Sequence, residues 1–166
     1  MILRLALLSE LPQIWNIIQF AIEQRRLDGS TQWQNGYPNE IVLAEDIQKK
    51  QGYVLENEGE IIAYAAIIFD IEPAYTAIEG KWLTTGEYVV IHRVATSKKV
   101  VGKGIGRQLF QMIEDLASQH GIFSIKVDTN FDNVPMLKIL DKLQYTYCGQ
   151  VYFSGSPRRA FEKVLK

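Results

Sequence analysis

Apolar residues along the chain change their period several times, and each change marks an expected element. Residues 1–6 read as a short strand. Leu11, Ile14, Ile18 and Ile22 then recur at helical spacing. Ser9 is the expected N-cap of that helix, and Pro12 lies in its first turn, where a missing N–H costs little. Arg25 and Arg26 close it at the end where cations suit the helix dipole. Residues 28–39 lose the period and contain Gly29, Gly36 and Pro38, so they read as a loop. A second helix is expected over 40–50, ended by Gly52. Residues 53–56 and 60–69 form an expected hairpin across Asn57-Glu58-Gly59. Residues 70–86 make a long irregular connection of a kind that often carries function.

A β-branched and aromatic run over 87–96 predicts a strand. The spacing of Ile105, Leu109, Met112, Ile113 and Leu116 predicts a helix over 102–120, capped by Gly121. A strand over 122–128, a helix over 133–143 with Pro135 near its start, and strands over 145–153 and 160–165 complete the chain. The order β-α-α-β-β-β-α-β-α-β-β predicts an α/β (α+β) fold occupying residues 1–166 as a single domain.

Composition narrows the function. Eighteen basic and 19 acidic side chains leave a net charge of −1, which argues against nucleic acid as a main partner. Cys148 is the single cysteine, so no internal disulfide can form. The apolar run Leu5 to Leu8 is too short for a signal peptide, and no stretch approaches the roughly 18 to 20 apolar residues of a membrane span. A cytoplasmic location without membrane association is expected.

The sharpest chemical feature is Val100-Val101-Gly102-Lys103-Gly104-Ile105-Gly106-Arg107, between a strand and an amphipathic helix. Alternate glycines let backbone approach a ligand, and free N–H groups at a helix N-terminus attract anions. Lys98, Lys99, Lys103 and Arg107 add positive charge, so the segment reads as a phosphate site. It is not a P-loop, because Gly104 follows Gly102-Lys103 where Ser or Thr is needed. The dinucleotide fingerprint G-x-G-x-x-G fails at Arg107, although Asp128 ends the next strand about where a ribose-binding acid would sit.

Val101-Gly102-Lys103-Gly104-Ile105-Gly106 resembles motif A of the GNAT N-acetyltransferase superfamily, Q/R-x-x-G-x-G/A, with Val101 in place of Gln or Arg. Asn133, opening the helix after Asp128-Thr129-Asn130-Phe131-Asp132, resembles the Asn of motif B that contacts the CoA arm. The resemblance implies a mixed, mostly antiparallel sheet flanked by helices. It implies acetyl-CoA as acyl donor, bound by Val101, Gly102, Lys103, Gly104, Ile105, Gly106, Arg107 and Asn133, with no metal. The family's fourth strand supplies a backbone N–H to the oxyanion near a bulge, and the matching positions are Val94, Ala95 and Thr96.

The expected reaction is direct transfer of acetyl to a primary amine of a small molecule or peptide, with a homodimer as a candidate assembly. The amine must first lose a proton, its pKa being about 10. His92 is the expected base, with Glu87 behind it, because histidine titrates near neutral pH. On an alternating strand His92 and Val94 share a face. Arg93 points to the other face, as an ion-pair partner or solvated. Many family members place a tyrosine acid where Leu140 stands, and Tyr145, Tyr147 and Tyr152 lie nearby without a spacing that selects one. That departure sustains an alternative, a non-catalytic domain that binds or senses acyl-CoA. In the family the region containing Trp33, Gln34 and Tyr37 shapes the acceptor site.

Overall fold

In the computed structural model, which describes residues 1–166, eight strands form one sheet in the order β1-β2-β3-β5-β6-β8-β7-β4. They are β1 Ile2–Leu5, β2 Gly52–Asn57, β3 Glu60–Ile68, β4 Glu79–Gly80, β5 Val89–Thr96, β6 Ser124–Thr129, β7 Thr146–Phe153 and β8 Ser156–Val164. The helices are α1 Leu11–Leu27, α2 Glu40–Gln48, α3 Ile105–Gln119 and α4 Val134–Lys142. Pairing is antiparallel for β1–β2, β2–β3, β6–β8, β7–β8 and β4–β7, and parallel for β5–β6. This is the mixed, mostly antiparallel α/β architecture expected. No helix is long and apolar enough to cross a membrane.

The expected boundaries need several corrections. A 3-10 turn at Leu8–Glu10 precedes α1, so the helix is entered from Glu10 and Ser9 is not its cap. Strand β8 starts at Ser156 rather than at residue 160, because Ser154 and Gly155 both take positive φ and turn the chain back at once. The connection 70–86 is more ordered than its composition suggests. It holds a 3-10 turn, Pro73–Ala77, and β4, which pairs with Gly149 and Gln150 of β7. Gly80 and Gly149 permit that pairing, since a Cβ on either would meet backbone at 2.1 Å.

The chain divides into two compact units. The first comprises Met1–Ile67 and Arg93–Met112, the second Ile68–His92 and Ile113–Lys166. In the first, Ile14 and Ile18 of α1 pack with Leu43, Val54 and Tyr64, all fully buried. Asn39 caps α2, its side chain accepting from the Val42 N–H at 3.0 Å.

In the second unit Tyr75, Val90, Val151 and Ala160 form the core, with Trp82 and Tyr88 against it. Buried Glu162 anchors the long connection. It accepts from the Leu83 N–H at 2.6 Å, the Ser124 hydroxyl at 2.7 Å and the Thr84 hydroxyl. The Lys126 ammonium lies over Tyr88 at 4.0 Å and Trp82 at 4.6 Å, and burial lowers its pKa. These contacts fix the segment that carries Glu72 and Tyr75.

Candidate active site

The glycine loop is built by short local bonds in the first unit. The Val100 N–H donates to the Ser97 carbonyl and the Lys103 N–H to the Val100 carbonyl, both at 3.1 Å. Gly102 and Gly104 follow at φ +76° and +75°. A side chain is strained in that region, so glycine is the residue the turn requires. The Gln108 N–H then bonds to the Gly104 carbonyl at 3.1 Å. The amides of Ile105, Gly106 and Arg107 lie ahead of that bond and have no acceptor inside the helix. No heavy atom lies within 4 Å of a Cβ placed on Gly102 or Gly104, so bare backbone faces open space. Lys103 and Arg107 are exposed beside it, whereas the Lys99 ammonium is taken by Glu60. This donor set suits a pyrophosphate.

Strand β5 departs from regular geometry at Arg93, which sits at φ +53°. A residue so placed breaks strand alternation as a bulge does, which overturns the expectation that His92 and Val94 share a face. Val94, Ala95 and Thr96 follow this turn directly. Arg93 pairs with Asp46 of α2, one of the two roles expected for it.

In the loop after α1, Trp33 and Gln34 line a groove of about 370 Å³ with Trp15, Ile22, Pro38 and Asn39. The Gln34 amide is anchored, donating to the carbonyls of Ile22 and Gln32 at 2.9 and 3.2 Å. Tyr37 is turned elsewhere, its hydroxyl accepting from Arg93 at 2.6 Å.

In the second unit His92 stands between two carboxylates. Its Nε2 is 3.0 Å from Glu72 Oε2 and its Nδ1 is 3.6 Å from Asp128 Oδ1. Parallel pairing explains Asp128. Ile91 is in register with Val127, so the next residues of β5 and β6 stand side by side. The Tyr75 hydroxyl donates to the same Asp128 oxygen at 2.6 Å, and rings of Tyr75 and Phe153 meet the imidazole edge-on. Burial pushes the Asp128 pKa up, against the opposing pull of His92 and of the Tyr75 bond. Glu87 does not stand behind His92. It is exposed ahead of β5, and the carboxylates on the imidazole are Glu72 and Asp128. Glu72 lies in the long connection 70–86, and from the sequence Asp128 is expected only at a strand end, about where a ribose-binding acid would sit. Only the register of β5 with β6 and the turn at Pro73–Ala77 bring both to His92.

Asn133 is the N-cap of α4, its Oδ1 accepting from the Met136 N–H at 3.4 Å. Leu140 is fully buried in the core. Leu140→Tyr is therefore expected to destabilise the fold by about 1–3 kcal/mol through overpacking, without raising turnover. Denaturant melts alongside rates check this, and a faster enzyme of unchanged stability would contradict it. Tyr145 is also buried, whereas Tyr147 and Tyr152 are exposed, the latter donating to Glu79 at 2.9 Å.

The acetyltransferase (GNAT) family profile matches residues 14–145. A GNAT-family acetyltransferase from Streptococcus agalactiae is 37% identical over 99% of this chain and 95% of its own, with a TM-score of 0.91. A Staphylococcus aureus Mu50 protein assigned as an acetyltransferase is 29% identical, with full coverage of both chains and a TM-score of 0.76. The yncA protein of Salmonella typhimurium, solved with acetyl-CoA, shares the fold at 17% identity and a TM-score of 0.70, covering 100% of this chain and 94% of its own. No curated protein matches the chain by sequence.

Proposed function

The chain belongs to the acetyltransferase (GNAT) family, and on that premise we propose that it transfers acetyl from acetyl-CoA directly to a primary amine of a small molecule or peptide. The carrying observation is the open loop at the start of α3, where Gly102 and Gly104 hold positive φ and leave bare backbone facing open space. The amides of Gly102, Gly104, Ile105, Gly106 and Arg107 would hold the pyrophosphate, with Lys103 and Arg107 supplying charge. Val101 contributes only its amide there. The acetyl-CoA bound to the Salmonella protein supports the choice of donor. Asn133 would reach the CoA arm while capping α4.

His92 serves as base. Glu72 accepts from Nε2–H when ionised, which leaves the lone pair on Nδ1. A proton taken there creates an imidazolium beside Glu72 and Asp128, both placed to stabilise it. The freed amine nitrogen attacks the thioester carbonyl, and a backbone N–H among Val94, Ala95 and Thr96 meets the oxyanion. The nitrogen, cationic after attack, gives up its second proton to solvent as the C–S bond breaks, and CoA leaves as thiolate, protonated by solvent, since Leu140 offers no acid. Trp33 and Gln34 shape the acceptor groove.

The test is thiol release from acetyl-CoA with a panel of primary amines. Release that depends on one of them is expected. A protein that binds acetyl-CoA yet acetylates none of a broad panel would be a binding domain instead.

A further inference from the structure

Arg93 lies in mid-strand yet has a backbone conformation that residues with a Cβ rarely adopt. Its side chain supplies the reason. Nε and Nη2 fork onto Oδ2 and Oδ1 of Asp46 at 2.8 and 2.6 Å, and Nη1 donates to the Tyr37 hydroxyl at 2.6 Å. Asp46 is 4% exposed and its Oδ2 also accepts from the buried Tyr64 hydroxyl at 2.7 Å. One planar group thus ties the turn in β5 to α2 and to the loop beside the groove, while Asp46 extends the tie to β3.

We propose that Arg93 is a positioning residue for acetyl transfer: its clamp on Asp46 and Tyr37 sets the turn that presents the Val94 amide to the thioester carbonyl and seats the acceptor loop 33–39. The inference rests on the proposed acetyltransferase function. The geometry requires arginine. Lysine keeps the charge but has no rigid fork, so it cannot hold both Asp46 oxygens and Tyr37 from one plane. Because Val94 follows Arg93 directly, a change in the φ of Arg93 swings the amide that succeeds it. Tyr37 lies between Gly36 and Pro38, both of which line the groove, so the same guanidinium sets where that wall stands.

The experiment compares wild type with Arg93→Lys, Asp46→Asn and Tyr37→Phe. Two nucleophiles accept acetyl. Hydroxylamine is small and uncharged at neutral pH, so it needs neither base nor groove and reports on the oxyanion donor. Phenethylamine needs all three. Acetyl-CoA binding is read by thermal shift, and the Val94 amide by its ¹⁵N–¹H cross-peak.

Arg93→Lys is expected to slow the hydroxylamine reaction about tenfold or more, toward the 10²–10³-fold that loss of an oxyanion donor costs. The thermal shift with acetyl-CoA should persist and the Val94 cross-peak should move. Asp46→Asn should act in the same direction and less strongly. Tyr37→Phe, a milder change, should raise the KM for phenethylamine more than it slows the hydroxylamine reaction. A folded Arg93→Lys protein with the wild-type hydroxylamine rate and an unmoved Val94 cross-peak would overturn the inference. So would loss of rate together with acetyl-CoA binding, which would make the clamp a support for the fold alone. Wild-type protein inert toward both nucleophiles would instead defeat the proposed function, while the Val94 cross-peak would still read the clamp.

Discussion

Replacing His92 by alanine is expected to slow acetyl transfer by roughly 10²- to 10⁴-fold, the range that a positioned general base contributes. Acetyl-CoA binding should survive, because the proposed pyrophosphate site is backbone at residues 101–107 and owes nothing to the imidazole. The substitution also strips the shared partner from Glu72 and Asp128, which face it at 3.0 and 3.6 Å. Asp128 is already pushed upward by burial, so some loss of stability should accompany the loss of rate. His92→Gln separates the two effects. Its amide can still donate to Glu72 but cannot take a proton, so stability should recover while the rate stays low. The check is kcat/KM from thiol release, with thermal melts of all three proteins. An unchanged rate in a folded His92→Ala protein would remove His92 from the mechanism and direct attention to Glu72.

Gly104→Asp should abolish the response to acetyl-CoA. At about 100 times its dissociation constant a ligand adds roughly 2.7 kcal/mol to stability, and that increment should vanish. The change costs backbone strain at this positive φ, but the fold should survive it. Nothing lies within 4 Å of the added Cβ, and aspartate enters the left-handed region more readily than most residues, here at φ +75°. What fails is the site, because a carboxylate then stands where the pyrophosphate is expected to lie. Gly104→Ala tests bulk without charge and should weaken binding less. Thermal titrations with acetyl-CoA measure both. A folded Gly104→Asp protein with the wild-type shift would mean that the loop is not the phosphate site.

The sequence by itself determined the order of the elements apart from β4, the mixed α/β class, the glycine loop and the family. These are local signals. Helical and strand periods are written in the spacing of apolar residues such as Ile14, Ile18, Leu109 and Ile113, which are buried as that spacing implies. Glycines in a loop report backbone geometry directly, and Gly102 and Gly104 take the positive φ that makes them necessary. The tertiary structure alone decided which side chains meet. Glu72 reaches His92 across 20 positions and Tyr75 reaches Asp128 across 53. Asp46 reaches Arg93 across 47 positions. Sequence spacing encodes none of these pairs, since they depend on strand register and on where a loop folds back. Glu87 was the natural candidate on proximity along the chain, but a nearby position on a strand does not bring a side chain to the same point. The turn at Arg93 was equally hidden, because a buried ion pair drawn from two distant elements holds it and no glycine announces it.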